Sequence, residues 1–362
     1  MSRYRFEPAV EADDAALRAR MASDWLRGDL SVSFRREPSY FAGCALQGEQ
    51  VQVHKCVDSQ TGELVGMGAR LMTQLCINGR WQRVGLLSDL RLAAHARGGM
   101  LVARGYRVLK ALHDADPVDF YLTVILDGNR AAIGSIASGR AGLPTYRDVG
   151  RMLSPALCLD LPRAALALPG VSFRRATSGD EADVAGLLAA AALRRQFTRD
   201  WSRFPPGLSI TDFFVAERGS RLVACVAAWD QHALRQTFIE AYSPRLALLR
   251  PLYNAAARVV PIKPLPAPGE RVPYVYLAAV AVAGDDVDLW CGLLRHAYRE
   301  LRRGPWHHAI VSLHEDDPLA VALDGYRAIR AAGRLYVVHY AGGAGAVAAL
   351  DDRVPCLDLS RI

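Results

Sequence analysis

The chain has 362 residues, of which 51% are apolar and 22% charged, and its formal net charge is +7. This is too long for one ordinary domain and suits two, and the composition excludes a disordered polypeptide. No run of about 18 apolar residues occurs, which excludes a membrane-spanning helix.

The chain opens with a short strand at Tyr4–Phe6 and an acidic helix start at Glu11, Asp13 and Asp14. Because it turns acidic at once, no signal peptide is expected, and the expected compartment is the cytoplasm. Three strand-like runs follow at Val51–Val57, Leu64–Ile77 and Trp81–Leu92. Asn78-Gly79 joins the last two as a hairpin, since both residues tolerate positive φ. The turn Arg97-Gly98-Gly99 opens a helix carrying Leu101, Val102, Leu109 and Leu112 near one face. Asp119–Leu126 is a strand, broken by Asp127-Gly128-Asn129. A short helix through Ile133 and Ile136 and a strand over Arg151–Leu159 complete the half.

A linker rich in alanine, Leu161–Gly170, separates residues 1–162 from 171–362, and the second half repeats the order. Val171–Arg175 is a strand. Ser178 and Glu181 have capping-box spacing before the helix Ala182–Ala191. Asp212–Glu217 and Leu222–Trp229 form a hairpin. An excursion with a helix over Pro244–Val259 ends in the Pro-rich Pro261–Pro273, which is neither helix nor central strand. Then come the buried strand Tyr274–Val282, the helix Leu289–Leu301, the strand His308–Leu313, a helix over Asp317–Ile329 and the strand Arg334–Tyr340. Ala341–Ala346 reads as a flexible glycine segment and Val354–Ile362 as an edge strand.

The seven cysteines are scattered with no C-x-x-C pair, which fits neither a disulfide framework nor a zinc site. No metal is expected. His314-Glu315-Asp316-Asp317 sits at a strand-to-helix junction, where acids cap helices. Only Lys55, Lys110 and Lys263 are lysines, and the arginines are dispersed, so no nucleic-acid partner is expected; the lack of a spanning segment gives the expectation of no membrane partner.

The repeated order, with Leu86–Ala103 (LLSDLRLAAHARGGMLVA) at its centre, resembles the GNAT acyltransferase fold, twice over. The fold class implied is α/β (α+β): two tandem GNAT-like domains, each a mixed, mostly antiparallel twisted sheet flanked by helices. The arrangement is similar to enhanced-intracellular-survival-type proteins and to mycothiol synthase. In the family, a strand ends and a small-residue turn opens a helix. Such a turn offers unpaired N–H groups and a positive helix end, which suit the pyrophosphate of coenzyme A. The resemblance implies that Leu90, Arg91 and Leu92 hold pantetheine, that Arg97, Gly98, Gly99, Met100 and Leu101 hold pyrophosphate, and that Asn129 contacts the cofactor or caps the next helix. Met100 and Val102 depart from the family's small residues, a departure that a one-residue shortening of the loop accommodates.

Acyl transfer to an amine needs a proton acceptor, because an alkyl ammonium has a pKa of about 10.4. Asp89, three residues before Leu92, occupies the family's base position. The usual tyrosine acid is replaced by Ile136, leaving Tyr146 or Tyr121 as proton donors. In survival-type relatives a terminal carboxylate serves as base, the place Ile362 would take. The second half has Ala283-Gly284-Asp285-Asp286-Val287-Asp288 where relatives attract phosphate, and aspartates there repel it. The expected protein is therefore an acyltransferase using acetyl-CoA or another acyl-CoA on a small-molecule or peptide amine. Its first half is active, its second is non-catalytic, and homo-oligomer assembly is compatible with both. The alternative is an inactive tandem scaffold.

Overall fold

The computed structural model describes residues 3–97, 100–129, 134 and 143–362. The segment predicted as a helix through Ile133 and Ile136 lies outside the described residues, as do Gly98 and Gly99.

Two large sheets carry the architecture. The first runs in the order β1 (Tyr4–Pro8), β3 (Gln50–Asp58), β4 (Leu64–Ile77), β5 (Arg80–Leu92), β6 (Tyr121–Leu126), β18 (Ala332–His339), β7 (Thr145–Leu153) and β16 (Leu313–His314), with β10 (Thr198–Arg199) also on β4. The second runs β17 (Ala328–Ile329), β8 (Ala156–Cys158), β15 (His308–Val311), β14 (Tyr274–Val282), β12 (Arg221–Trp229), β11 (Phe213–Arg218) and β9 (Val171–Arg175). Each sheet is antiparallel except for one central pair, β5 with β6 and β14 with β15.

The two runs of chain exchange strands. In the first sheet the neighbour of β6 is β18, from the C-terminal run. In the second the neighbour of β15 is β8, from the N-terminal run. Arg151–Leu159, expected as one strand, is therefore two strands in different sheets. Pro155, which lacks an N–H, stands between them.

Helices cover both sheets. α1 (Asp14–Ser23) and α2 (Tyr40–Ala45) bury Leu17, Met21 and Tyr40 against Leu71, Leu86, Leu122 and Val337 of the first sheet. α3 (Leu101–Ala115) lies by β5 and β6. α4 (Glu181–Ala192) packs Val184 and Leu188 on the second sheet. α5 spans Pro244–Ala256, and α6 (Val287–Arg302) buries Trp290, Leu293 and Leu294 against Phe214, Leu277 and Val311.

Several local expectations are corrected. The capping box before α4 is Thr177 with Asp180, one residue earlier than the predicted pair. Between α1 and α2 and before α5 lie two strands, β2 (Leu30–Arg35) and β13 (Gln236–Tyr242), which pair with each other and join the halves. Asp317–Ile329 is a 3-10 run, Pro318–Gly325, capped by Asp317, followed by β17. The glycine segment is helical through α7 (Ala344–Ala348). A side chain on Gly343 would meet the Asp119 carbonyl at 1.8 Å, which is why glycine sits at that approach. Val354–Ile362 forms no strand; it crosses between the sheets and ends in a 3-10 turn at Leu359–Arg361.

Candidate active site

β5 and β6 pair at only two positions, Gly85 with Tyr121 and Leu86 with Leu122, and then part. Beyond Leu86 the edge of β5 is bracketed by two side chains. The Thr123 hydroxyl donates to the Leu87 carbonyl at 2.9 Å, and Arg97 Nε donates to the Leu92 carbonyl at 3.0 Å. Between these points the strand bulges. Met67 opposes Arg91 and Ala69 opposes Ser88, so Gly68 alone faces Asp89 and Leu90. Asp89 adopts φ +54°, an uncommon conformation for a non-glycine residue that such a bulge imposes. Ser88 Oγ is buried there without a hydrogen-bond partner among the described residues.

α3 begins beside this opening. Its N-cap is Met100, whose side chain makes no capping hydrogen bond. Leu90, Met100 and Leu126 are exposed around the gap. Asn129 closes the turn after β6 by donating its N–H to the Leu126 carbonyl at 2.9 Å. Arg97 also reaches Asp24 at 3.3 Å, and Arg91 approaches the same carboxylate at 3.8 Å.

Asp89 belongs to a buried network that sequence reading missed. Asp14 Oδ1 accepts from the Tyr40 N–H at 2.8 Å and the Ser39 hydroxyl at 2.9 Å, which fixes the start of α2. From there the Tyr40 hydroxyl donates to Asp89 Oδ2 at 3.0 Å. Arg36 Nη2 lies 2.7 Å from the same oxygen, and Arg36 also donates to Gln47 Oε1 and Cys44 Sγ. Burial alone would raise the Asp89 pKa, but Arg36, then Arg91, hold it below the usual carboxylate range. Burial pushes the Cys44 thiol up to about 11. Asp89 Oδ1 accepts no hydrogen bond from a described residue. The one signal for this network in the sequence is the Arg35-Arg36 doublet.

Tyr146 is brought to Tyr106 of α3, hydroxyl to hydroxyl, and not to Asp89. Burial raises the pKa of both phenols, that of Tyr106 to about 12. Tyr121 is held by Arg70 Nε and His113 Nδ1, each at 3.0 Å. The carbonyl of Ile362 accepts from Arg235, a cation that also acts on Asp89.

The second sheet repeats the opening and closes it. β14 and β15 pair from Tyr274–His308 to Leu277–Val311 and then part. β14 shows the same bulge against β12: Ala227 opposes Ala278, Cys225 opposes Ala281, and Ala279 takes φ +51°. Here the gap holds the chain's own residues. Asp358 Oδ2 accepts from the Ala279 N–H at 3.3 Å, and Leu357 is buried. Arg195 ties Asp317 and Asp285 together at 2.8 Å each. Only about 40 Å³ remains open. The α6 N-terminus is capped by Asp286, which accepts from the Leu289 N–H at 3.0 Å.

The Saccharomyces cerevisiae N-myristoyltransferase with bound myristoyl-CoA is similar over 94% of this chain and 83% of its own, at TM-score 0.59 and 12% identity. A GCN5-related N-acetyltransferase from Sphaerobacter thermophilus is similar over 100% of this chain and 99% of its own, at TM-score 0.57 and 13% identity. The chain has the fold of the GCN5-related acyltransferases. The GCN5-related glucosamine N-acetyltransferase region of a fungal multi-domain GH3 beta-N-acetylglucosaminidase shares this fold over 92% of this chain and 38% of that one, at TM-score 0.59 and 13% identity. No protein-family model and no curated protein sequence matches the chain. No helix among the described residues is long and apolar enough to cross a membrane.

Proposed function

We propose that the protein is an acyl-CoA-dependent N-acyltransferase, with acetyl-CoA the default donor and a small-molecule or peptide amine the acceptor. The observation that carries this reading is the contrast between two like openings in one GCN5-related fold. The second is filled by residues 356–358 and its helix is capped by Asp286, whereas at the first no such plug comes from the described residues and the N-cap Met100 gives no side-chain bond. Residues 1–162 therefore hold the working site, and residues 171–362 shape and support it.

In this reading Leu90–Leu92 hold the pantetheine arm. Arg97, Gly98, Gly99, Met100 and Leu101 form the pyrophosphate end, where the α3 dipole favours an anion. Asn129 braces the far wall. Asp89 Oδ1 receives an N–H of the attacking amine while Arg36 and Tyr40 fix Oδ2. Its lowered pKa keeps it ionised, so it accepts a proton weakly and chiefly orients the nucleophile. Tyr146 gives the leaving thiolate its proton by way of Tyr106.

The same lowered pKa favours a second reading, an inactive scaffold that binds coenzyme A without turnover. Calorimetry with desulfo-CoA and thiol release across an amine library separate the two. Binding with amine-dependent release of thiol supports the enzyme. Binding with no release from any amine supports the scaffold, and no binding sinks both. Asp89→Asn is expected to lower turnover by about 10²-fold or more while leaving donor affinity nearly unchanged.

A further inference from the structure

α5 is unusual in that none of its thirteen residues is buried. Polar straps hold it to the returning Pro-rich segment. Arg250 Nε donates to the Leu265 and Pro266 carbonyls, and the Asn254 side chain both donates to and accepts from the backbone of Leu265. Its apolar side chains are consequently left facing out. Leu248 is 81% exposed and Leu252 71%, with Val259 at 85% just past the helix end. Leu248 and Leu252 are four residues apart, and Arg245 precedes Leu248 by three, so the three share one side.

The charge along this segment has one sign, while the exposed Asp29 meets its start, its carbonyl accepting from the Ser243 N–H at 2.8 Å. From Ala241 to Gly269 the chain carries Arg245, Arg250, Arg258 and Lys263 and no acidic residue. The flanking acids are engaged: Glu240 accepts from Ser33 and Arg35, and Glu270 accepts from the Ala267 N–H. A second copy docked face to face across a twofold would set these cations against each other. A peptide helix needs a groove, and α5 is a convex ridge. Exposed leucines and valines beside arginines on a ridge match a soft, anionic, apolar layer.

We propose that α5 and the turn after it form a docking ridge for an anionic lipid surface. The expectation of no membrane partner came from the lack of a spanning segment, and a surface ridge needs none. β13 leads directly into α5 and pairs antiparallel with β2, Tyr242 with Leu30 beside the ridge and Gln236 with Arg35 at the far end, so the ridge and Arg36 lie at opposite ends of this ladder. The proposal stands apart from the acyl-transfer reading, because its test uses no acyl donor.

The test is co-sedimentation of the whole chain with vesicles of phosphatidylcholine and phosphatidylglycerol in equal parts, against phosphatidylcholine alone. The chain is expected to sediment with the anionic vesicles, less so as salt is raised. Leu248→Asp with Leu252→Asp is expected to reduce sedimentation by about tenfold or more, and Arg245→Ser with Arg258→Ser by several-fold. All four positions are exposed, so the thermal unfolding of both variants should match the parent. No sedimentation with anionic vesicles overturns the proposal, as does sedimentation that the leucine variant leaves unchanged. A dimer in solution that the leucine variant converts to monomer overturns it too, because a second copy then covers the ridge.

Discussion

The buried pair Arg36–Asp89 makes the sharpest test of the candidate site. The two side chains are only 3% and 10% exposed, and the contact is 2.7 Å. Arg36→Leu removes that contact and the donation to Gln47, and it leaves Asp89 desolvated with Tyr40 alone as donor. Stranding one member of such a pair costs about 3–5 kcal/mol. Asp89→Asn keeps a side chain that tolerates the positive φ, so its cost is smaller, about 1–3 kcal/mol. In the double variant no carboxylate is stranded, and the two costs should fall short of additivity by about 2 kcal/mol. Denaturant unfolding of the four proteins, followed by circular dichroism, measures this coupling. The pH dependence supplies an independent check. In the parent the Asp89 pKa is lowered, so its contribution is complete above the unfolded value near 3.9 and is lost as pH falls through the folded value. In Arg36→Leu burial dominates and raises that pKa. The contribution is then present below the unfolded value and is lost as pH rises through the folded one. The deficit of Arg36→Leu should therefore shrink on going from about pH 8 to about pH 4. A coupling under about 0.5 kcal/mol, or a deficit that grows on acidification, would refute the network as described.

Further expectations follow from close approaches and from the filled second opening. Gly43→Ala favours helix α2 by about 0.5–1 kcal/mol in isolation, yet the new methyl would lie 2.7 Å from Arg36 Cδ. A net loss of about 1–3 kcal/mol in chemical denaturation is expected, and a gain would show that Arg36 is not held in place. At Gly85 an added methyl meets the Tyr121 ring at 2.0 Å at the point where β5 and β6 part. Gly85→Ala should lower the melting temperature and weaken coenzyme A binding together, and loss of neither would contradict the register. Asp358→Ala removes the plug's bond to Ala279 and the cap of the last turn, at a cost of about 1–2 kcal/mol with coenzyme A affinity unchanged in calorimetry. A large loss of affinity would place the cofactor in the second opening. Tyr106→Phe and Tyr146→Phe should lower thiol release to the same extent, since one hydroxyl acts through the other; unequal effects would break that relay.

What the sequence reveals and what it hides divides along physical lines. β4 and β14 are read to the residue, because a long apolar run bounded by turn residues has one stable reading. The bulge position at Asp89 is legible as the end of such a strand. Arg36 is not, since nothing local at Arg35-Arg36 says which distant carboxylate will share its burial. Strand exchange is hidden for the same reason. β18 has the pattern of a buried strand, and that pattern fits either sheet, so the choice rests on which edge is vacant after the rest has folded. The C-terminal residues look like an edge strand because Leu357 and Leu359 alternate with polar residues. Their apolar side chains are buried against the two halves and not in a ladder.

The exchange of β8 and β18 bears on function. The wall of the first opening is β6, and from Tyr121 to Leu126 it is paired with β18, a strand made only after the second half has been laid down. β18 reaches its place through Tyr336 and Val338, which pack with Tyr121 and Ile125 on the α3 side. Tyr121 in turn stands against Gly85, where the opening starts. The second half thus builds one wall of the site even though its own opening is filled. Its loss would remove that support from the proposed site. It also gives residues 1–162 on their own an unpaired β6 edge, a template for aggregation.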